Sequence, residues 1–120
     1  MKVNKKYNCL FIGNAIVDVV SEVSFDILEK QKIDFGSWRQ VSINEINELQ
    51  EKMSNILIAS GGSAANSAVG FSLLGGRSAF IGRVKSDDFG SLYINDLKEA
   101  NVDFISNSVD TGNELSLIHI

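Results

Sequence analysis

Short apolar blocks, set off by glycine, asparagine and serine, run along this chain, and the spacing inside each block predicts its element. Tyr7 to Ile12 is an apolar run closed by Gly13-Asn14, which predicts a buried strand ending in a turn. Residues 17–23 alternate loosely and predict a second, more exposed strand. Ser24 stands where it can cap a short helix over Phe25 to Lys30. From Gln31 to Gln40 no period holds and Gly36 intervenes, so this stretch reads as loop leading to a strand within 37–42.

Beyond it the pattern sharpens. Ser42-Ile43-Asn44-Glu45 is a capping box, with serine at the N-cap and glutamate three residues on. Ile46, Leu49 and Met53 then share one helical face, so a helix is predicted from about Ile43 to Met53. Ile56 to Ala59 predicts a short buried strand that runs into Gly61-Gly62. Ser63 to Leu74 predicts a helix with one narrow polar stripe, apolar over most of its circumference and therefore buried. Gly75-Gly76 stop it. Ser78 to Ile81 is a further buried strand. Ser86-Asp87-Asp88 opens a helix whose apolar positions are Phe89, Leu92, Tyr93, Leu97 and Ala100, with acids at its positive end. Val102 to Ile105 and Leu115 to Ile120 are the last apolar runs. Strand and helix alternate over short connections, which predicts an α/β layered fold with a mostly parallel sheet and right-handed crossovers. The strands near 17–23 and 37–42 fall outside that alternation and are expected to form a small separate sheet.

Composition narrows the function classes. The chain has 120 residues, about one domain, with a net charge of −4. It carries no basic patch of the kind that grips nucleic acid or anionic lipid. No apolar run approaches the ~20 residues that span a bilayer, and the N-terminal apolar run is too brief and polar for a signal peptide. The cytoplasm is the expected location. The single cysteine, Cys9, excludes an intramolecular disulfide and a thiolate metal cluster, and reads as a small buried hydrophobe. His119 is the only histidine and is assigned no role.

Two junctions have the makings of a ligand site. In Ser60-Gly61-Gly62-Ser63-Ala64-Ala65-Asn66, adjacent glycines let the backbone approach a ligand and adopt positive φ. The helix that follows turns its free N–H groups and positive dipole end toward the same space. Asn66 can donate and accept hydrogen bonds to hydroxyls. On spacing alone this segment reads equally as a packed turn whose asparagine bonds nearby backbone. Gly13-Asn14-Ala15-Ile16-Val17-Asp18 follows the first strand, and ligands of open α/β sheets bind beyond such strand ends. Asp18 suits a pair of sugar hydroxyls, although an isolated aspartate is more simply an exposed turn carboxylate. Gly82 to Gly90 reads as a helix start. No Walker-type or dinucleotide-type glycine fingerprint is present, which argues against a P-loop enzyme and against a nicotinamide or flavin oxidoreductase.

Together these segments resemble the ribokinase-like (PfkB) carbohydrate kinase family, which includes ribokinase, fructokinases and adenosine kinase. Gly61 to Ala68 resembles the family's N-terminal signature, and Gly13 to Asp18 its first strand and substrate-binding aspartate. Gly82 to Gly90 resembles its G-x-V-G-x-D-x-x-G segment, with Lys85 where the family has glycine. Thr111-Gly112 resembles a Thr-Gly pair before a lid strand. The resemblance implies a ribokinase-like layered fold with lid strands near 17–23, 37–42 and 102–120, so that residues 1–120 form the N-terminal part of one such domain.

It further implies substrate contacts from Asn14, Asp18, Gly61, Gly62, Ser63 and Asn66, with Asp18 and Asn66 on ring hydroxyls. The implied reaction moves the γ-phosphoryl of ATP, with Mg, to a hydroxymethyl oxygen of a sugar or nucleoside. Gly13-Asn14 and Ser63 lean towards adenosine-kinase-like members. No nucleic-acid or membrane partner is implied, and a homodimer through the lid is compatible with it. The family's Gly-Ala-Gly-Asp base motif does not occur, so a truncated chain holding substrate without catalysing transfer is expected. A non-catalytic sugar- or nucleoside-binding module of the same fold is the alternative.

Overall fold

The computed structural model describes residues 6–106, 108, 110 and 117–119. The elements in chain order are β1 (Cys9–Ile12), β2 (Ile16–Val20), α1 (Phe25–Lys30), β3 (Trp38–Gln40), α2 (Ile43–Gln50), β4 (Leu57–Gly61), α3 (Ser63–Leu73), β5 (Ser78–Ile81), α4 (Asp88–Glu99), β6 (Val102–Phe104) and β7 (Leu117–His119). Two compact units are distinguished, one of residues 1–18 and 59–112, the other of 19–58 and 113–120.

The first unit is built on a three-stranded parallel sheet in the order β1-β5-β6. Its register aligns Phe11, Phe80 and Phe104 across the three strands. The central strand, Ser78-Ala79-Phe80-Ile81, is a continuous small or apolar run because it is covered on both faces. α4 is the crossover that returns the chain from β5 to the parallel β6. The core gathers Ala65 and Ala68 of α3, Phe80, Val84, Tyr93 and Leu97 of α4, and Val102. Alanines on the sheet-facing side of α3 bring that helix close. A buried polar neighbour, the Ser78 hydroxyl, donates to the Ala68 carbonyl at 3.0 Å.

Helix ends follow local chemistry. Gly75, at φ 90°, closes α3 in a Schellman motif. Its N–H donates to the Ser72 carbonyl and that of Gly76 to Phe71. Asp87 caps α4 by accepting from the Gly90 N–H at 2.8 Å.

In the second unit, β3 pairs antiparallel with β7, in the register Trp38↔His119. Leu28, Ile33 and Val41 are its buried apolar residues among those described. α2 has the reciprocal capping box: the Ser42 hydroxyl accepts from the Glu45 N–H, and the Glu45 carboxylate accepts from the Ser42 N–H at 2.8 Å. β2 and β4 make a separate two-stranded sheet. Among the described residues no helix is long and apolar enough to cross a membrane.

Several expectations need correction. Residues 102–104 pair with β5 in the parallel sheet, not in a lid sheet, because Val102 and Phe104 are absorbed by the core around Phe80. α2 ends at Gln50, since Lys52 and Met53 switch to tighter bonds onto Leu49 and Gln50. β4 begins at Leu57 and is mostly exposed rather than buried. α3 is apolar without being buried all round: Leu73 is 77% and Leu74 91% exposed. The Ser24 side chain makes no cap bond to α1. Cys9 is half-buried. Thr111-Gly112 lies outside the described residues.

Candidate functional site

The two glycine junctions of the sequence meet in the first unit. β1 ends at Ile12, and the Gly13 N–H extends the ladder by donating to the Ile81 carbonyl at 3.1 Å. The chain then passes Asn14 and enters β2, where Asp18 is exposed. β4 delivers Gly61 and Gly62, and α3 begins at Ser63.

Side-chain-free backbone is what allows these segments to pack. A Cβ on Gly13 would stand 2.7 Å from the Ala64 Cβ. A Cβ on Gly61 would overlap the Asp18 carboxylate, so the Asp18 side chain lies directly against the Gly61 backbone. A Cβ on Gly62 would stand 2.7 Å from the Asn14 carbonyl oxygen and close to Ile16. Gly62 also holds φ at 97°, which L side chains rarely adopt. Gly61 therefore has a steric reason, and Gly62 a steric and a conformational one.

Asn14, Asp18, Gly61 and Gly62 are thus brought together. Ser63 and Asn66 occupy the first turn of α3, three residues apart and so on one face of the helix. The Asn66 N–H donates to the Gly62 carbonyl at 2.8 Å, which closes the first helical turn. The Asn66 side chain is exposed, not buried, and so is free of the requirement for an internal partner that burial would impose. The Ser63 side chain is also exposed. A carboxylate, an amide, a hydroxyl and the amino end of a helix are thus carried by the segments that meet at a turn where Gly61 is buried and Gly62 half-buried. That set suits a small polyhydroxylated ligand: hydroxyls to the carboxylate and amide, ring carbons to the glycines.

The sequence reading passed over the contacts behind this turn. The Tyr93 hydroxyl, on the buried face of α4, donates to the Gly61 carbonyl at 3.2 Å. One helical turn further on, Asp96 accepts from the Ser60 hydroxyl at 2.5 Å. The only trace of this in the sequence is a tyrosine at a core position where a leucine or phenylalanine would do, since a buried phenol normally has a partner.

The third motif behaves as a helix start. The Lys85 carbonyl packs where a Cβ on Gly90 would stand, which explains glycine there. A cavity of about 310 Å³ lies beside it, lined by Lys85, Ser86, Asp87, Asp88, Gly90 and Ser91 among others, and shares no residue with the Gly61 turn. Among the described residues, no group of three or more histidine, cysteine, aspartate or glutamate side chains is gathered to hold a metal ion.

Comparison with known proteins bears on this arrangement. The family model described as pfkB family carbohydrate kinase matches residues 18–120. Probable fructokinase-6, chloroplastic, of Arabidopsis thaliana is 45% identical over 62 residues, covering 52% of this chain and 16% of the relative. The 5-dehydro-2-deoxygluconokinase of Clostridium tetani is 34% identical over 100 residues, covering 79% of this chain and 29% of the relative. The crystal structure of adenosine kinase from Sinorhizobium meliloti superposes with a TM-score of 0.75 at 36% identity, over 89% of this chain and 33% of that one. The chain thus spans less than a third of the length of these relatives.

Proposed function

The chain belongs to the pfkB family of carbohydrate kinases, and on that premise we propose that its first unit holds the phosphoryl acceptor, a sugar or nucleoside, for ATP-dependent transfer to a hydroxymethyl oxygen. The observation that carries the reading is the contact between the Asp18 carboxylate and the bare Gly61 backbone. A sugar ring lying on Gly61-Gly62 brings two neighbouring hydroxyls within reach of Asp18. Charge-assisted hydrogen bonds of this kind are about twice as strong as neutral ones. Asn66 and Ser63 supply neutral donors and acceptors on the helix side, and Asn14 borders the turn from the β1 end.

In this reading the residues of the chain bind and orient the acceptor. Phosphoryl transfer depends mainly on positioning and charge stabilisation, so a rigid grip on the acceptor is itself a catalytic contribution. ATP would supply the phosphoryl group and Mg²⁺ its counter-charge. Among the described residues the carboxylates do not gather into a magnesium site.

The test is a thermal-shift screen of the purified chain with D-ribose, D-fructose and adenosine. A ligand at one hundred times its Kd stabilises the folded state by about 2.7 kcal/mol, an easily read shift. The reading expects at least one of the three to raise Tm, and to fail to do so in Asp18→Asn. No shift from any of them would sink it.

A further inference from the structure

We propose that Tyr93 is a positioning residue for the ligand-binding turn: its buried hydroxyl fixes the plane of the Gly61–Gly62 peptide, and Asp96 assists by holding Ser60. The inference rests on the acceptor-binding reading of that turn.

Tyr93 is fully buried and its ring is boxed by the core, 5.9 Å from the Phe80 ring centroid. A side chain so confined has one place for its hydroxyl. From there it donates to the Gly61 carbonyl at 3.2 Å. Burial pushes the phenol up to about 12, so it remains a protonated donor throughout the neutral range.

The carbonyl and N–H of a trans peptide point in opposite directions. Holding the Gly61 carbonyl toward α4 therefore aims the Gly62 N–H away from α4. It also settles which side of Gly61 faces the Asp18 carboxylate. Glycine needs such a constraint more than other residues, because without Cβ its φ and ψ are the least restricted. Tyr93 and Asp96 are three residues apart, so they share one face of α4, while Ser60 and Gly61 are consecutive on β4. Two adjacent residues of the turn are thus tied to one face of one helix, in addition to the packing of Gly61 on Asp18 and of Gly62 on Asn14.

The experiment compares wild type, Asp18→Asn, Tyr93→Phe and Ser60→Ala, each as the whole chain. Kd is measured by titration calorimetry for whichever of D-ribose, D-fructose and adenosine binds, at a temperature where circular dichroism shows every variant folded. The Gly62 amide resonance is followed by NMR. Tyr93→Phe keeps the ring and deletes only the hydrogen bond. The expected result is Kd weaker by roughly tenfold, as loss of a partner for a buried carbonyl implies, with a displaced Gly62 resonance before ligand is added. Ser60→Ala is expected to weaken binding by roughly twofold to threefold, as for a more exposed bond.

A purely structural tyrosine would lower Tm and leave Kd unchanged. If Asp18→Asn abolishes binding while Tyr93→Phe binds as wild type, the positioning role is wrong and the site reading stands. If no ligand binds wild type, the site reading falls and this inference with it. Should Tyr93→Phe not fold, Ser60→Ala binding as wild type overturns the proposal.

Discussion

Three glycines in and beside α3 differ in backbone conformation or steric surroundings, and alanine at each should therefore do something different. Gly62 precedes the helix at φ 97°, ψ 133°, and a Cβ there would stand 2.7 Å from the Asn14 carbonyl oxygen. Gly75 follows it at φ 90° with nothing within 4 Å of a Cβ. Gly70 lies within the helix, also with nothing within 4 Å. Gly70→Ala should stabilise by about 0.5–1 kcal/mol, since alanine loses less backbone freedom on folding. Gly75→Ala should cost about 1–2 kcal/mol for the left-handed backbone alone. Gly62→Ala carries backbone strain of about 1–3 kcal/mol and a clash worth about 1–3 kcal/mol more, so about 2–6 kcal/mol together. A domain's whole stability is about 5–15 kcal/mol. At about 4 °C per kcal/mol, Gly62→Ala should melt at least ~8 °C below wild type. Thermal denaturation followed by circular dichroism reads all three. The expected order of Tm is Gly70→Ala, wild type, Gly75→Ala, Gly62→Ala. A Gly62→Ala variant that melts at or above Gly75→Ala would refute the packing of the turn against Asn14.

Other consequences follow from single contacts. Ser42→Ala removes the hydroxyl half of the capping box of α2, leaving the residue 42 N–H on the Glu45 carboxylate, and should cost about 1 kcal/mol in urea denaturation. The Ser42 N–H, with the hydroxyl second, holds the Glu45 carboxyl below its ordinary value. Its folded pKa is therefore the depressed one, so its support is present above the ordinary carboxylate range and is lost as pH falls through the lower, folded value; in Glu45→Gln an acid titration of stability should be flatter in that window. Tyr93 has the opposite sign, its pKa being raised from 10.0 to about 12 by burial. Its contribution is complete below pH 10 and disappears as pH climbs towards 12, a loss that Tyr93→Phe should abolish in alkaline denaturation. Asn101, at φ 57° just past α4, should tolerate glycine, whereas Asn101→Val should cost about 1–2 kcal/mol by thermal melting.

What the sequence made legible was what neighbouring residues decide between themselves. The capping box at Ser42, the bounds of α1, β5 and the start of α4 within Ser86 to Asp88 are settled within four or five residues, and the pattern found them. Strand partnership is decided at long range. Val102 to Phe104 could be expected in a lid because nothing nearby in the sequence says that Phe104 will lie beside Phe80. The burial of α3 was overread for a related reason: an apolar composition says that a helix is able to be covered, and Leu73 and Leu74 remain exposed.

The candidate site was half legible. Asn14, Asp18 and Gly61 to Asn66 stood out as polar and glycine residues beyond strand ends, but the contact of Asp18 with Gly61 needed the fold. Asn66 emerged exposed, which changes it from an amide satisfied inside the protein to one available outside it. Tyr93 was readable only as a member of an apolar helix face. Its partner, the Gly61 carbonyl, is 32 residues away in sequence.

The central claim, that the Gly61 turn and Asp18 form one grip for a polyhydroxylated acceptor, is tested most directly by amide NMR of the chain titrated with D-ribose, D-fructose and adenosine. The account predicts saturable shifts for at least one ligand at Gly61, Gly62 and Ser63, and their loss in Asp18→Asn. Shifts that persist unchanged in Asp18→Asn, or that cluster around Lys85 to Ser91 instead, would contradict it.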